Sequence, residues 1–245
     1  MTMSSQPSRL ERIRHDLHHR PVVVARIQPL SPGFVSITFS GDELAGFRSD
    51  AFDDHVKFIF KDPLGETRMR DYTPRYFDPQ RRELTIEFAL HGHGQAVNWA
   101  RQAQVGDDAV IAGPRGSVII PKDYDWYLLV GDNSALPAIH NRIDELTAGQ
   151  RIIVLAQLDN RDDRRCFNRH AGLELQWLTD HDALLKAAAA LPWPQGEGFV
   201  WAAGEASTMM QLRTLLAEGR QHPPQAMRIA VYWRRGKTNV HEQLA

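Results

Sequence analysis

The sequence predicts a β-barrel plus α/β protein: an N-terminal antiparallel Greek-key barrel followed by an open, mostly parallel α/β domain. Three observations predict it. From 21 to about 120, short β-rich runs are separated by the turn signals SPG (31–33), PLGE (63–66) and DPQRR (78–82). From 126 onward the strands become continuous apolar runs, beginning with WYLLVG, as strands covered on both faces require. Helical segments then alternate with those runs, which implies a parallel sheet. The change falls at 121–125, so the units are a polar segment 1–20, a barrel 21–122 and an α/β domain 123–245.

Residues 1–20 are polar and basic, and RLERIRHDLHH (9–19) reads as a short helix or a solvated tail. PVVVARIQPL, FVSITFSG, HVKFIFKD, MRDYTPRYFD, ELTIEFALHG and DAVIAGPRG are barrel strands. One helix, 94–103, interrupts them. In the second unit, strands are expected at 126–131, 151–158, 173–178, 198–204 and 227–233. Helices are expected at 134–146, 182–191 and 206–219.

Bulk properties narrow the function. The 245 residues carry a net charge of −1, so no general affinity for nucleic acid or an anionic membrane is expected, and any basic site must be local. The single cysteine, Cys166, forms no internal disulfide and cannot by itself hold zinc or an iron–sulfur cluster. With no apolar leader in the first twenty residues and no run of transmembrane length, a cytoplasmic chain is expected. No large apolar stripe is evident, so a monomer is expected. The eleven histidines form no metal-ligand pattern.

RDYTPR (70–75) sets the chemistry. Strand alternation puts Arg70 and Tyr72 on one face, with Asp71 on the other and Thr73 at the strand end. A cation beside an aromatic plane suits a flat, anionic ligand; an edge strand with exposed arginines is the competing reading. In HGHGQAVNWA (91–100), a strand ends, glycines give close backbone access and a helix begins, as at a phosphate site or an ordinary strand–helix turn. Arg115 projects from the Gly113-Pro114 turn. GDNSALPAI (131–139) and AAGEAS (202–207) are loops at carboxyl ends of strands, where open α/β sheets bind ligands. For the second loop, helix capping by Glu205 or Ser207 is the alternative.

Taken in order, R-x-Y-T-x-R (70–75), HG…WA (91–100), AGPRGS (112–117), GDxxALPAI (131–139), WAAGE (201–205) and YWRRG (232–236) closely resemble the siderophore-interacting proteins. These are FAD-dependent ferric-siderophore reductases of the ferredoxin–NADP reductase superfamily. The resemblance runs from about 20 to 237. It implies that Arg70, Asp71, Tyr72 and Thr73 hold FAD, with Thr73 near the flavin N5. His91, Gly92, Gly94, Ala96, Val97 and Asn98 would line the rest of that site. The family often has Gly-Pro-Ala before a Ser or Thr where this chain has Gln95-Ala96-Val97, so backbone N–H groups and Asn98 would serve the phosphate. Gly131, Asp132, Ser134 and Ala135, with Gly204 and Glu205, would face NADPH or NADH. Asn133 stands where the family commonly has Glu. Arg161, Arg164 and Arg165 could meet a 2′-phosphate, favouring NADPH, or form a solvated loop.

A ferric siderophore is the implied substrate, met by a basic cluster of Lys57, Arg115 and one of Arg234, Arg235 and Lys237. Outer-sphere electron transfer needs no acid–base or nucleophilic residue, and the siderophore already encloses the iron. The competing expectations are a generic flavin reductase, a ferredoxin-dependent siderophore reductase and a siderophore-binding flavoprotein without sustained NAD(P)H turnover. A reductase with its own iron–sulfur centre is excluded by the single cysteine.

Overall fold

The computed structural model describes residues 9–92, 94–147, 149–167, 172–236 and 242–244. Its first element corrects the helical reading of 9–19. Glu11–Arg14 is a strand, β1, paired antiparallel with Gly116–Ile119 so that Arg14 faces Gly116. A Cβ at Gly116 would stand 2.5 Å from the Ile13 carbonyl oxygen, so only glycine admits this approach. Backbone pairing across a hundred residues overrides a weak local pattern.

The barrel strands follow: β2 (His19–Ser31), β3 (Phe34–Ser40), β4 (Val56–Lys61), β5 (Thr67–Tyr72), β6 (Pro74–Asp78), β7 (Glu83–Ala89) and β8 (Asp108–Ala112). Their order is β5-β4-β8-β2-β3-β7-β6, antiparallel throughout. The edge strands β5 and β6 are consecutive in the chain and joined through Thr73, so the sheet curls until its edges meet. The expected single strand over 69–78 is therefore two. Alternation in β4 sends Val56, Phe58 and Phe60 inward and Lys57, Ile59 and Lys61 outward. Inside, Phe39, Phe58, Phe88, Ile37, Ile86 and Ile111 are fully buried, each contributing about 1.5–3 kcal/mol by leaving water. Helix α1 (Gln95–Gln102) buries Ala96 and Ala100 in this core and brings the Trp99 ring to 4.7 Å from Phe58.

After β9 (Gly116–Ile119) come β10 (Trp126–Gly131), α2 (Leu136–Glu145), β11 (Arg151–Gln157), β12 (Leu173–Leu178), α3 (His181–Ala190), β13 (Gly198–Glu205), α4 (Ala206–Thr214), β14 (Met227–Trp233) and the short β15 (Glu242–Gln243). The sheet order is β12-β11-β10-β13-β14-β15, parallel except for β15. The chain runs outward from β10 and returns to β13 on its other side. The order thus reverses between β10 and β13, which opens a crevice at their carboxyl ends.

The two sheets share a seam. Phe34 and Phe52 of the barrel are buried in the same apolar cluster as Leu136, Ile139 and Trp201. Asp53, 5% exposed, accepts the Trp201 indole N–H at 2.9 Å and the Arg228 Nε–H at 2.7 Å. Asn141 donates to the carbonyls of Phe52 and Pro74. Asp163 accepts from the Ser31 hydroxyl at 2.6 Å and the Gly33 N–H at 2.7 Å. Among the described residues, no helix is long and apolar enough to cross a membrane.

Candidate functional site

The site is built where the barrel edge, α1 and the carboxyl ends of the parallel strands converge. On β5, Arg70 and Tyr72 face the same way. The Tyr72 ring lies 4.4 Å from Phe88 and 5.9 Å from Phe58, so an aromatic wall fixes its plane. Burial raises the pKa of its phenol. The Arg70 guanidinium donates to the Met69 carbonyl at 2.7 Å and to Gln95 Oε1 at 3.3 Å, which brings a cation to the start of α1.

That start carries no side-chain cap: Gly94 precedes Gln95 with an extended backbone, leaving the first N–H groups to an external acceptor. A Cβ at Gly92 (φ +73°) would meet no atom within 4 Å, so the loop lies beside open space. Arg101 holds that loop by donating to the carbonyls of Leu90 and Gly92. Ala96 is turned into the core, Val97 is half-buried and Asn98 is exposed. Ala96 therefore offers an external ligand only its backbone. His93 lies outside the described residues.

His91 reaches the second domain. Its Nδ1 is 3.3 Å from Asp159 Oδ2, which also accepts the Asn133 side-chain N–H at 2.9 Å. Asn133, at the family's glutamate position, thus donates where a second carboxylate would repel Asp159.

The parallel-sheet turns are held by Asp132. Its Oδ1 accepts from the Ser134 N–H and hydroxyl; its Oδ2 accepts from the Glu205 N–H at 2.9 Å and the Trp233 indole at 2.8 Å. One buried carboxylate thereby ties the ends of β10, β13 and β14 together. Desolvation raises its pKa despite these bonds. Gly131 is required: a Cβ would stand 2.4 Å from the Ala135 Cβ and 2.8 Å from the Ala203 carbonyl oxygen. At Gly204, a Cβ would stand 2.6 Å from Asp132 Oδ2. Of Gly131, Asp132, Ser134 and Ala135, only Ser134 is partly exposed. Glu205 caps α4 by accepting from the Ser207 N–H and hydroxyl and the Thr208 N–H. Desolvation opposes its ionisation, but these hydrogen bonds prevail and lower its pKa. Asp132 caps the short 3₁₀ turn Asn133–Ala135 that leads into α2, and Glu205 caps α4, whereas the start of α1 has no side-chain cap.

The basic residues come from three segments. Lys57 pairs across the ladder with Asp71, its Nζ 2.7 Å from that carboxylate, on the face opposite Arg70 and Tyr72. Lys57 also lies opposite Ala112 of β8, directly before the Gly113-Pro114 turn that presents exposed Arg115. Arg234 stands 3.8 Å from Glu242, and Arg235 is exposed. Both follow Tyr232, whose ring lies 6.4 Å from Trp201 and whose phenol pKa burial raises. Lys237 lies outside the described residues. In the loop after β11, Arg165 pairs with Glu87 and lies over the Phe34 ring, whereas Arg161 and Arg164 are exposed. Arg165 is thereby occupied at the seam rather than presented to a ligand.

Sequence reasoning missed Asp53, Asn141, Asp159 and Asp163, which position these segments. One signal was readable: Trp201, in an otherwise apolar strand, brings an N–H that needs a buried acceptor.

Comparison with known proteins agrees with this architecture. Residues 124–236 match the family model described as siderophore-interacting protein. Segments 23–68 and 65–118 match the siderophore-interacting FAD-binding domain. The chain is 35% identical to the NADPH-dependent ferric-chelate reductase of Escherichia coli K12, over 94% of this chain and 99% of that protein. A siderophore utilization protein from T. fusca superposes with a TM-score of 0.89 at 33% identity, covering 94% of this chain and 98% of the other. The siderophore-interacting protein SipS from Aeromonas hydrophila gives 0.80 at 26% identity, covering 92% and 94%. The chain belongs to the siderophore-interacting protein family, with its FAD-binding domain on the barrel side.

Proposed function

We propose that this protein is an NADPH-dependent flavoprotein that reduces ferric siderophores and releases Fe(II) in the cytoplasm. The observation that carries the reading is the convergence beside Thr73: its neighbour Tyr72 is braced as a plane, and its other neighbour Pro74 is tied to α2 of the nucleotide-side unit by the Asn141 side chain at 2.9 Å. Flavin and donor sites brought to one junction are what electron transfer between them requires.

FAD fits the residues present. The uncapped start of α1 with Arg70 beside it suits a pyrophosphate, and Tyr72 suits the edge of a flat ring. When bound, FAD supplies the two-to-one electron conversion between a hydride donor and Fe(III). Arg70 and the α1 N–H groups neutralise and orient the diphosphate. Thr73, buried between Tyr72 and Pro74, presents its hydroxyl at the reacting end. Asp132 keeps the donor-side turns and Trp233 in register, with Ser134 and the backbone at Gly204 and Glu205 lining the donor site. Lys57, Arg115 and Arg235 steer the ferric chelate. None of these roles calls for an acid–base residue or a protein ligand to iron. Cys166 is a free, exposed thiol, as a reducing compartment allows.

The test is coupled turnover. Purified protein loaded with FAD is given NADPH, a ferric siderophore and an Fe(II)-trapping dye. The expected result is two Fe(II) trapped per NADPH oxidised. NADPH oxidation without trapped Fe(II) would contradict the reading.

A further inference from the structure

The basic cluster invoked above is partly compensated by this chain's own acids. The Lys57 ammonium stands 2.7 Å from the Asp71 carboxylate, with the two residues directly opposite each other on neighbouring strands. Neither is lost to the core: the side chains are 44% and 22% exposed. Arg234 has Glu242 at 3.8 Å. By contrast, the Arg115 side chain has no ion pair among the described residues, and it sits beyond Ala112, the residue facing Lys57 on β8.

The charge of the bound chelate follows from its ligands. Three hydroxamates, each bringing one negative charge, make a neutral complex with Fe(III). Three catecholates, each bringing two, make a trianion. The two classes present similar size and hard oxygen shells but differ in their demand for positive potential.

We propose that Asp71 is the charge-selecting residue of the substrate site: by holding Lys57 it lowers the local potential and tilts the protein toward neutral, hydroxamate-type ferric chelates over trianionic catecholates. This rests on the reductase reading above. It gives the acid within RDYT a role on the strand face opposite the flavin side, separate from Arg70 and Tyr72. Discrimination here works by withholding attraction from the anionic competitor. At about 6–8 Å in water-like dielectric, one unit of protein charge changes the interaction about three-fold for each charge on the chelate. For a trianion that compounds to about 25-fold at low ionic strength.

The test compares kcat/KM for a ferric tris-catecholate and a ferric tris-hydroxamate in FAD-loaded wild type, Asp71→Asn, Lys57→Gln and the double variant. In Asp71→Asn the catecholate-to-hydroxamate ratio is expected to rise about 25-fold at low salt, and the rise should shrink as salt is added. In Lys57→Gln the ratio should fall. In the double variant it should return to within about three-fold of wild type, because both charges are gone. A ratio unmoved by Asp71→Asn, or moved without salt dependence, would overturn the proposal. Loss of FAD from Asp71→Asn would also overturn it, by returning Asp71 to the cofactor site. A wild-type protein that reduces neither chelate while NADPH still bleaches its flavin would instead sink the reductase reading, a pattern distinct from these.

Discussion

Replacing Asp53 with alanine is expected to weaken the seam between the two sheets more than any comparable change on the barrel surface. The carboxylate is 5% exposed and serves two donors from the other sheet, Trp201 at 2.9 Å and Arg228 at 2.7 Å. The Arg228 side chain is itself 15% exposed. Truncation leaves a mostly buried cation and a buried indole N–H without their acceptor. Breaking one side of such a pair costs about 3–5 kcal/mol. For a chain of this length each kcal/mol moves Tm by about 2–4 °C, so a drop of about 10 °C follows. Asp53→Asn retains the shape and one carbonyl acceptor and should cost about 1–2 kcal/mol. The assay is urea and thermal unfolding at one fixed FAD concentration, because bound cofactor adds stability by mass action. Near-ultraviolet and far-ultraviolet signals should be followed together to establish whether the transition is two-state. An Asp53→Ala protein within about 1 kcal/mol of wild type would refute the reasoning.

Asp54 makes a pH prediction: burial raises its pKa to about 6 from an ordinary 3.8, against the opposing hydrogen bonds from Ser117, Ala51 and Ser49. The folded state therefore holds this proton more tightly than the unfolded state. Its contribution is full below the unfolded value and is lost as pH rises through about 6, amounting to about 3 kcal/mol at most. Asp54→Asn should flatten this part of the stability profile between pH 4 and 6, measured by urea titration; an unchanged slope would refute the assignment. Arg70→Ala should weaken FAD binding about 10- to 100-fold by removing the cation at the start of α1, read by flavin fluorescence on dilution. Arg115→Ala should lower kcat/KM for an anionic ferric chelate about 10-fold while FAD is retained; unchanged reduction would remove Arg115 from the site.

Much of this architecture was legible because it is written in local periodicity. The unbroken apolar run 126–131 is a central parallel strand with every residue buried. HVKFIFKD reads as a barrel strand, and in the structure its alternation turns Phe58 inside and Lys57 outside. The six motifs carried the family resemblance that the comparisons support. What was not legible is what acts across long sequence separations. Glu11–Arg14 has no alternating apolar face and becomes a strand because Gly116–Ile119 offers it a ladder. RDYTPR reads as one strand, yet barrel closure breaks it at Thr73. Asp132 looks in sequence like a ligand-facing loop acid, but four donors, two of them 73 and 101 residues away, claim its carboxylate. Arg165 looks like a phosphate-binding cation until Glu87, 78 residues earlier, is placed beside it.

The central claim is that electrons pass from NADPH through a flavin held by this chain to a ferric siderophore. Anaerobic visible spectroscopy of the FAD-loaded protein tests it most directly. NADPH should bleach the flavin bands, and a ferric siderophore added next should restore them as Fe(II) appears. A flavin that stays oxidised under NADPH, or that stays bleached after the chelate is added, would contradict the account.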